Sequence, residues 1–261
     1  MLAFPGEIRA PKALLQAAES IDGKSSWGHK SAQTCSNLEA MSLPASPNTL
    51  NDPEALMDDP STEVGIVAFD FDGTLTVRDS FMAFLRWGVS PGRYRLGLIR
   101  LIPAALSYLH HRNRGRLKAA AVREFLSGLS REALEDRAKA FAQTQAVRLL
   151  RPDALRAWRY WRGRRAQLVI VTASPEQIVA PFARGLGADL LIATELEFDL
   201  NDRLTGALGS NNCRAQEKVV RLRAAFGADV RLTAAYGDTS GDTEMLKIAN
   251  YAGYREFKER P

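Results

Sequence analysis

Short apolar runs recur along this chain from residue 64 onward, with stretches of helical spacing between them. Each run is short enough to form one buried strand, and the runs are Val64–Phe69, Gln167–Val171, Asp189–Ala193 and Leu232–Tyr236. Helical segments are predicted at Pro175–Arg184 and Gln216–Phe226, and a small hairpin at Glu195–Gly206 with its turn at 201–202. Strands that alternate with helices predict an α/β fold whose parallel sheet is flanked by helices on both faces.

A long helical insertion separates the first run from the second. Residues 77–165 contain no convincing strand, and Ser130 is predicted to be the N-cap of one of the helices. The apolar positions with helical spacing are Leu117, Ala121, Phe125, Leu134, Ala138 and Phe141. This pattern predicts an all-helical cap at 77–165, inserted into a core formed by 61–76 and 166–261.

The N-terminal residues 1–60 are rich in Ser, Pro, Asn and Asp and show little periodicity. Such a segment cannot bury enough apolar surface to offset its ordering entropy, so we predict that it is disordered. No signal-peptide pattern and no apolar run of roughly 20 residues is visible. We therefore expect a cytoplasmic protein that is at most peripheral to the inner face of the membrane. Two cysteines, Cys35 and Cys213, exclude a disulfide scaffold and a cysteine zinc site.

Positive charge is concentrated in the predicted cap. The formal net charge is +5, but no acidic residue lies between Asp79 and Glu124, where nine residues are Lys or Arg. Aliphatic residues are interleaved with these cations, and a helix of this kind can lie on an anionic membrane surface. The same pattern is equally typical of cap helices that bury Leu and Ile and leave Arg in water. Basic residues alone are weak evidence for nucleic-acid binding, so no nucleic acid is expected.

Two aspartates directly follow the first predicted strand. Asp70 and Asp72 stand in the sequence DFDGT (70–74), at the edge of the sheet where open α/β folds bind ligands. Two carboxylates so close repel each other unless a cation lies between them, which favours a hard divalent ion such as Mg²⁺. For an isolated pair, a turn that uses Asp for local hydrogen bonds is the more common explanation.

Polar residues also follow the other predicted strands. Thr172 and Ser174 come after the second strand, and Ser174 is predicted either to cap the following helix or to bind a phosphate. Lys218 lies two residues into a predicted helix, and Asp238 and Asp242 come after the last strand. The carboxyl ends of parallel strands meet at one edge, so we expect all of these residues to share one site.

These motifs, in this order, resemble those of the haloacid dehalogenase superfamily of phosphohydrolases over about residues 64–250. The long helical insertion is similar to that of the phosphoserine-phosphatase-like subfamily (subfamily IB). The stretches DSFMAFLR (79–86), VTASPE (171–176) and NCRAQEK (212–218) are similar to phosphatidylglycerophosphatase C-type and CicA-like proteins. The resemblance implies a Rossmann-like core with a helical cap between the first and second motifs.

The resemblance also implies a Mg²⁺-dependent phosphomonoester hydrolase that acts through an aspartyl-phosphate. Asp70 would be the nucleophile, and Asp72 would be the general acid and then the general base. Thr172 would donate a hydrogen bond to a phosphoryl oxygen, and Lys218 would supply positive charge to both the nucleophile and the phosphoryl group. The implied metal ligands are Asp70, Asp72 through its backbone carbonyl, Asp238 and, nearby, Asp242.

Three departures from the phosphoserine enzymes bear on the substrate. Those enzymes carry Ser-Gly-Gly where this chain has Thr172-Ala173-Ser174, and Asn where it has Gly241. Asp79 stands where they place a substrate-facing Glu, and it is predicted to be either a substrate contact or a helix cap. The basic aliphatic cap favours a membrane lipid phosphate, and the similarity to phosphatidylglycerophosphatase C-type proteins implies phosphatidylglycerophosphate as the leading example. The alternatives are a small soluble anionic metabolite and, less favoured, a non-catalytic regulatory or nucleic-acid-binding protein.

Overall fold

The computed structural model describes residues 65–111 and 114–261. The segment 1–60, which we predict to be disordered, lies outside the described residues. Seven strands are present in the described part of the chain: β1 (Ile66–Phe69), β2 (Gln167–Pro175), β3 (Leu190–Thr194), β4 (Leu196–Phe198), β5 (Leu204–Leu208), β6 (Leu232–Gly237) and β7 (Ala249–Tyr254).

The central sheet has five strands in the order β3-β2-β1-β6-β7, and every pair is parallel. The predicted parallel sheet is therefore confirmed, with β1 at its centre. β4 and β5 form a separate antiparallel pair, as the predicted hairpin requires. The edge strand β7 was not predicted from the sequence.

Nine helices accompany these strands in the described residues. They are α1 (Ser80–Gly88), α2 (Pro91–Arg100), α3 (Ile102–His111), α4 (Arg114–Leu126), α5 (Arg131–Leu149), α6 (Pro152–Gly163), α7 (Glu176–Leu186), α8 (Gln216–Phe226) and α9 (Thr243–Lys247). Between β1 and β2 the regular elements are all helical, as the sequence predicts.

Helices cover both faces of the sheet. On β1, Val67 and Phe69 belong to one buried cluster and Ala68 belongs to another. The first cluster includes residues of α6 and α7, and the second includes residues of α8 and α9. A strand buried on both faces has no polar alternation, which explains why β1 is a continuous apolar run in the sequence.

Aromatic contacts join the helical insertion to the sheet. Phe141 of α5 packs against Phe84 of α1 (ring centroids 5.4 Å apart) and against Phe182 of α7 (5.8 Å). Helix α6 packs on the sheet itself, because Trp158 contacts Phe69 with centroids 5.0 Å apart. This packing groups α6 with the core, whereas the boundary predicted at residue 165 groups it with the cap. We use "cap" below for α1–α5.

Helices α2 and α3 lie on the outside of the cap. No residue of α3 is buried, and its Ile102, Leu106 and Leu109 are 51%, 61% and 71% exposed. These positions are four and three residues apart, so they share one face of the helix. Among the described helices, none has the length and apolar character that crossing a bilayer requires.

Candidate active site

A sharp turn after β1 brings the first and last acidic motifs together. Asp70 N donates to Tyr236 O of β6 at 2.9 Å, so the backbone of Asp70 still belongs to the sheet. The chain then turns through Phe71–Leu75, where Gly73 has a φ of 86°. A Cβ atom at Gly73 would collide with the Asp238 carboxylate. Glycine is thus required both for the turn and for the approach of Asp238.

Lys218 is a fully buried cation between two acidic residues. Its Nζ donates to Asp70 Oδ1 (2.5 Å), Val171 O (2.6 Å) and Asp242 Oδ1 (2.7 Å). These contacts use all three protons of the ammonium group. Burial alone would lower the pKa of Lys218, but the two carboxylates outweigh burial and raise that pKa. Lys218 is therefore charged and held in one position.

The two aspartates that contact Lys218 differ in their pKa. Burial raises the pKa of Asp70 to about 7, although the charge of Lys218 opposes this effect. Burial would also raise the pKa of Asp242, but Lys218 and the bonds from Thr239 hold it below its usual range. Asp242 Oδ2 accepts from Thr239 N (2.9 Å) and Thr239 Oγ1 (3.0 Å). Asp242 thus joins the loop after β6 to Lys218.

Asp70, Asp238 and Asp242 could hold a divalent cation, since one carboxylate oxygen of each lies within 4.8 Å of the others. Asp238 Oδ1 is buried and has no hydrogen-bond partner among the described residues. Burying such an oxygen is costly unless something binds it, and Mg²⁺ prefers carboxylate ligands. Both oxygens of Asp242 accept bonds of 3.0 Å or less, whereas Asp70 Oδ2 accepts only a 3.5 Å bond from Thr74 Oγ1. Asp70 and Asp238 are therefore the better direct ligands, and Asp242 would position them.

The Asp72 carboxylate accepts hydrogen bonds from both the cap and the core. Its Oδ1 accepts from Ser80 N (2.7 Å), and its Oδ2 accepts from Ser174 Oγ (2.5 Å). The prediction that Ser174 caps a helix is wrong, because β2 continues to Pro175 and Pro175 is itself the N-cap of α7. The Ser174 hydroxyl is buried and positions Asp72, so the geometry does not favour it as a direct substrate ligand.

Asp79 lies where the core meets the cap. Its Oδ1 accepts from Met82 N at 2.8 Å, so it caps α1, which is one of its two predicted roles. Asp79 also lines a cavity between the core and the cap. Burial and the charge of Asp72 raise the pKa of Asp79 to about 6. A substrate contact by Asp79 stays a prediction.

Lys118 is a site residue that the sequence analysis missed. It extends from α4 to the core, where its Nζ donates to Ala173 O and to Asn212 Oδ1 (3.1 Å). Burial lowers the pKa of Lys118, while the charges of Asp72 and Asp79 oppose this effect. Its partners are 55 and 94 residues away in sequence. In the sequence alone, Lys118 is indistinguishable from the other Lys and Arg residues between Asp79 and Glu124.

A cavity of about 620 Å³ between core and cap connects these groups, and its size is typical of a small-molecule site. Of the predicted site residues, those that line it are Asp70, Asp72, Asp79, Thr172, Lys218, Asp238 and Asp242. Thr172 Oγ1 accepts from Ser174 N at 3.0 Å, which leaves its own proton for a ligand. The motifs that are distant in sequence therefore meet at the carboxyl edge of the sheet.

A parallel sheet, a helical insertion and this Asp-Lys-Asp arrangement together define a class of hydrolase. The family model of the haloacid dehalogenase-like hydrolases matches residues 67–247, and the chain belongs to that family. The chain is also 62% identical over 196 residues to "Protein CicA" of Caulobacter vibrioides. This alignment covers 75% of this chain and 88% of that protein. The family and the CicA-like resemblance predicted from the motifs are confirmed, and with them an enzyme of the hydrolase class.

Solved structures show the same fold. A protein of unknown function from Bordetella pertussis superposes with a TM-score of 0.59 and 22% identity, over 71% of this chain and 87% of that one. A phosphoserine phosphatase, in a phospho-aspartyl intermediate analogue, superposes with a TM-score of 0.50 and 19% identity, over 71% and 83%. The Rossmann-like α/β fold predicted from the sequence is confirmed.

Proposed function

We propose that this hydrolase cleaves phosphomonoesters through a covalent phosphoryl intermediate on Asp70. The main support is the contact of the buried Lys218 ammonium with Asp70 (2.5 Å) and Asp242 (2.7 Å). A fixed positive charge beside a carboxylate nucleophile reduces its repulsion from an anionic phosphoryl group, and it is most effective where water is excluded.

The proposed reaction has two steps. In the first, an Asp70 oxygen attacks phosphorus while the ester P–O bond breaks, and the Asp72 carboxyl group gives its proton to the leaving alkoxide. In the second, water attacks phosphorus, Asp72 takes a proton from that water, and the bond between Asp70 and phosphorus breaks. Inorganic phosphate leaves, and both carboxyl groups return to their starting states.

The surrounding groups support each step. The bonds from Ser80 N and Ser174 Oγ hold the Asp72 carboxyl group in place. Thr172 would donate its free hydroxyl proton to a phosphoryl oxygen, and the fixed positive charge of Lys218 would attract the phosphoryl group. A Mg²⁺ ion held by Asp70 and Asp238 would add positive charge that stabilises the transferred group.

We expect the purified protein to release phosphate from phosphomonoesters when Mg²⁺ is present. EDTA should abolish this release, and added Mg²⁺ should restore it, because the Asp70–Asp238 pair then regains its cation. A malachite-green assay over lipid and soluble phosphomonoesters measures this, with bis(p-nitrophenyl) phosphate as the diester control. If no monoester in such a panel is hydrolysed, the proposed function is wrong.

The outer face of the cap supports a lipid substrate at the inner face of an anionic membrane. Ile102, Leu106 and Leu109 expose one apolar face of α3, and Tyr108 of the same helix lines the cavity. No acidic residue lies between Asp79 and Glu124 in the sequence. An apolar face among cations can enter a lipid interface, and the cavity mouth would then be near the headgroups. Phosphatidylglycerophosphate is the proposed example.

We expect the protein to sediment with vesicles that contain phosphatidylglycerol at low salt, and to sediment less at 0.5 M salt. The double variant Leu106→Asp/Leu109→Asp should reduce vesicle binding at least about tenfold, because two negative charges would have to enter the apolar layer of the membrane. Leu200→Asp is a matched control, since Leu200 is fully exposed in the β4–β5 turn. If the wild-type protein fails to bind at low salt, a soluble anionic metabolite becomes the better proposal.

A further inference from the structure

Arg214 lies in the cavity wall, in space that a glycine leaves open. Its side chain passes over Gly241, where a Cβ atom would collide with the guanidinium group. Ala215 N donates to Gly241 O at 2.8 Å, which joins the two loops at this point. Gly241 is also the position where the resemblance described above places an asparagine in the phosphoserine enzymes. The departure at 241 thus has a structural consequence, because it makes room for an arginine at the cavity.

Among the described residues, the side chain of Arg214 donates only to hydroxyl groups. Its Nη1 donates to Thr239 Oγ1 (3.4 Å) and its Nη2 to Ser240 Oγ (3.1 Å). These are long and neutral bonds, so the guanidinium charge is not compensated by them. Ala215, the next residue, has a φ of 53°, a conformation that non-glycine residues rarely adopt. The backbone is thus held in an unusual form at the residue next to this arginine.

Arg114 of the cap contributes a second guanidinium to the same cavity. Its Nε donates to Tyr108 Oη at 3.2 Å. In the described part of the chain, neither Arg114 nor Arg214 forms an ion pair with a carboxylate. Burial and the nearby charge of Arg114 lower the pKa of Arg214, while the charges of Asp242 and Asp70 oppose this effect only in part. Two nearby cations repel each other, and an anion that contacts both guanidinium groups would remove this repulsion.

We propose that Arg114 and Arg214 bind a second anionic group of the substrate, apart from the phosphoryl group that is hydrolysed. Guanidinium groups with free donors suit a phosphodiester or a carboxylate. The inference rests on the proposed phosphatase function and narrows its substrate class to phosphomonoesters that carry another anion. Both the headgroup of phosphatidylglycerophosphate and a small soluble metabolite can provide that chemistry.

Two matched substrate pairs test the proposal. The lipid pair is dihexanoyl phosphatidylglycerophosphate and dihexanoyl phosphatidic acid, and the soluble pair is glycerophosphoglycerol phosphate and glycerol 3-phosphate. Only the first member of each pair has a second anion. We expect the wild-type kcat/KM to favour the first member by about 10- to 100-fold, the typical value of charge-assisted bonds. The preference should appear mainly in KM, because the second anion is remote from the reacting bond.

Three variants should reduce this preference toward one. Arg214→Gln and Arg114→Gln each remove one cation, and Gly241→Asn fills the space of the Arg214 side chain. Arg95→Gln is the matched control, because Arg95 is exposed on α2 and does not line the cavity. Its ratio should equal that of the wild-type protein.

The outcomes separate the inference from the function on which it rests. Preference in the lipid pair alone identifies a headgroup as the source of the anion, and preference in both pairs shows that the anion alone is sufficient. A wild-type ratio near one, or equal losses on both members of a pair in Arg214→Gln and Arg114→Gln, overturns the arginine proposal and leaves the phosphatase proposal intact. If no member is hydrolysed, the proposed function itself fails.

Discussion

Replacing Asp70 with Asn is expected to lower Mg²⁺-dependent phosphate release by at least about four orders of magnitude. The amide of Asn cannot form the phosphoryl intermediate, and its neutral oxygen is a weaker ligand for a cation. Single-turnover assays at saturating substrate measure the loss without interference from binding. Activity within tenfold of wild type would show that Asp70 is not the nucleophile.

The same variant should remain folded. Because burial raises the pKa of Asp70 to about 7, well above the usual range of an aspartate, the folded protein disfavours the ionised carboxylate. Above about pH 4, ionisation of Asp70 therefore reduces stability, and the neutral Asn removes this penalty. Lys218 keeps Val171 O and Asp242 as acceptors. Thermal unfolding in EDTA at pH 7.5 should give a Tm no lower than that of wild type, with Asp229→Asn on the surface as the control.

The sheet and the main polar site could be predicted because both follow from short-range patterns. Asp70 and Asp238 each directly follow a strand of the parallel sheet. The carboxyl ends of parallel strands lie at the same edge of the sheet, and this holds regardless of the segments that connect the strands. The position of Lys218 could be predicted in the same way, because a residue near the N-terminus of α8 lies at the same edge of the sheet. Tertiary packing did not need to be known for these assignments.

Other features depend on contacts that no local pattern shows. Ser174 fits an N-cap motif, but its hydroxyl bonds with Asp72, 102 residues away, and β2 continues through it. Lys118 and Arg114 reach the cavity only because the cap packs on the core. β7 was missed because an edge strand is exposed on part of its surface and lacks a strong apolar run.

Replacing Lys218 with Met is expected to remove both activity and much of the stability. Met preserves volume but leaves the Asp70 and Asp242 carboxylates buried without their shared cation. Removing one partner of a buried ion pair costs about 3–5 kcal/mol, which for a domain of this size lowers Tm by about 6–20 °C. Losing a buried charge at the phosphoryl site should also reduce kcat by about 10²–10³-fold.

The pH dependence of this loss distinguishes a charge effect from a packing effect. Without Lys218, the raised pKa of Asp70 should rise further and the lowered pKa of Asp242 should return upward, so the folded variant takes up protons as the pH falls. Its stability deficit against wild type should therefore shrink between pH 8 and pH 5. Urea unfolding in EDTA measures this difference at each pH.

The matched control is Lys247→Met. The partner of Lys247, Glu244, is 2.8 Å away on the surface, where an ion pair contributes at most about 1 kcal/mol to stability. A deficit for Lys218→Met that does not change with pH would mean that Met packs poorly and that the charge of Lys218 does not stabilise the site.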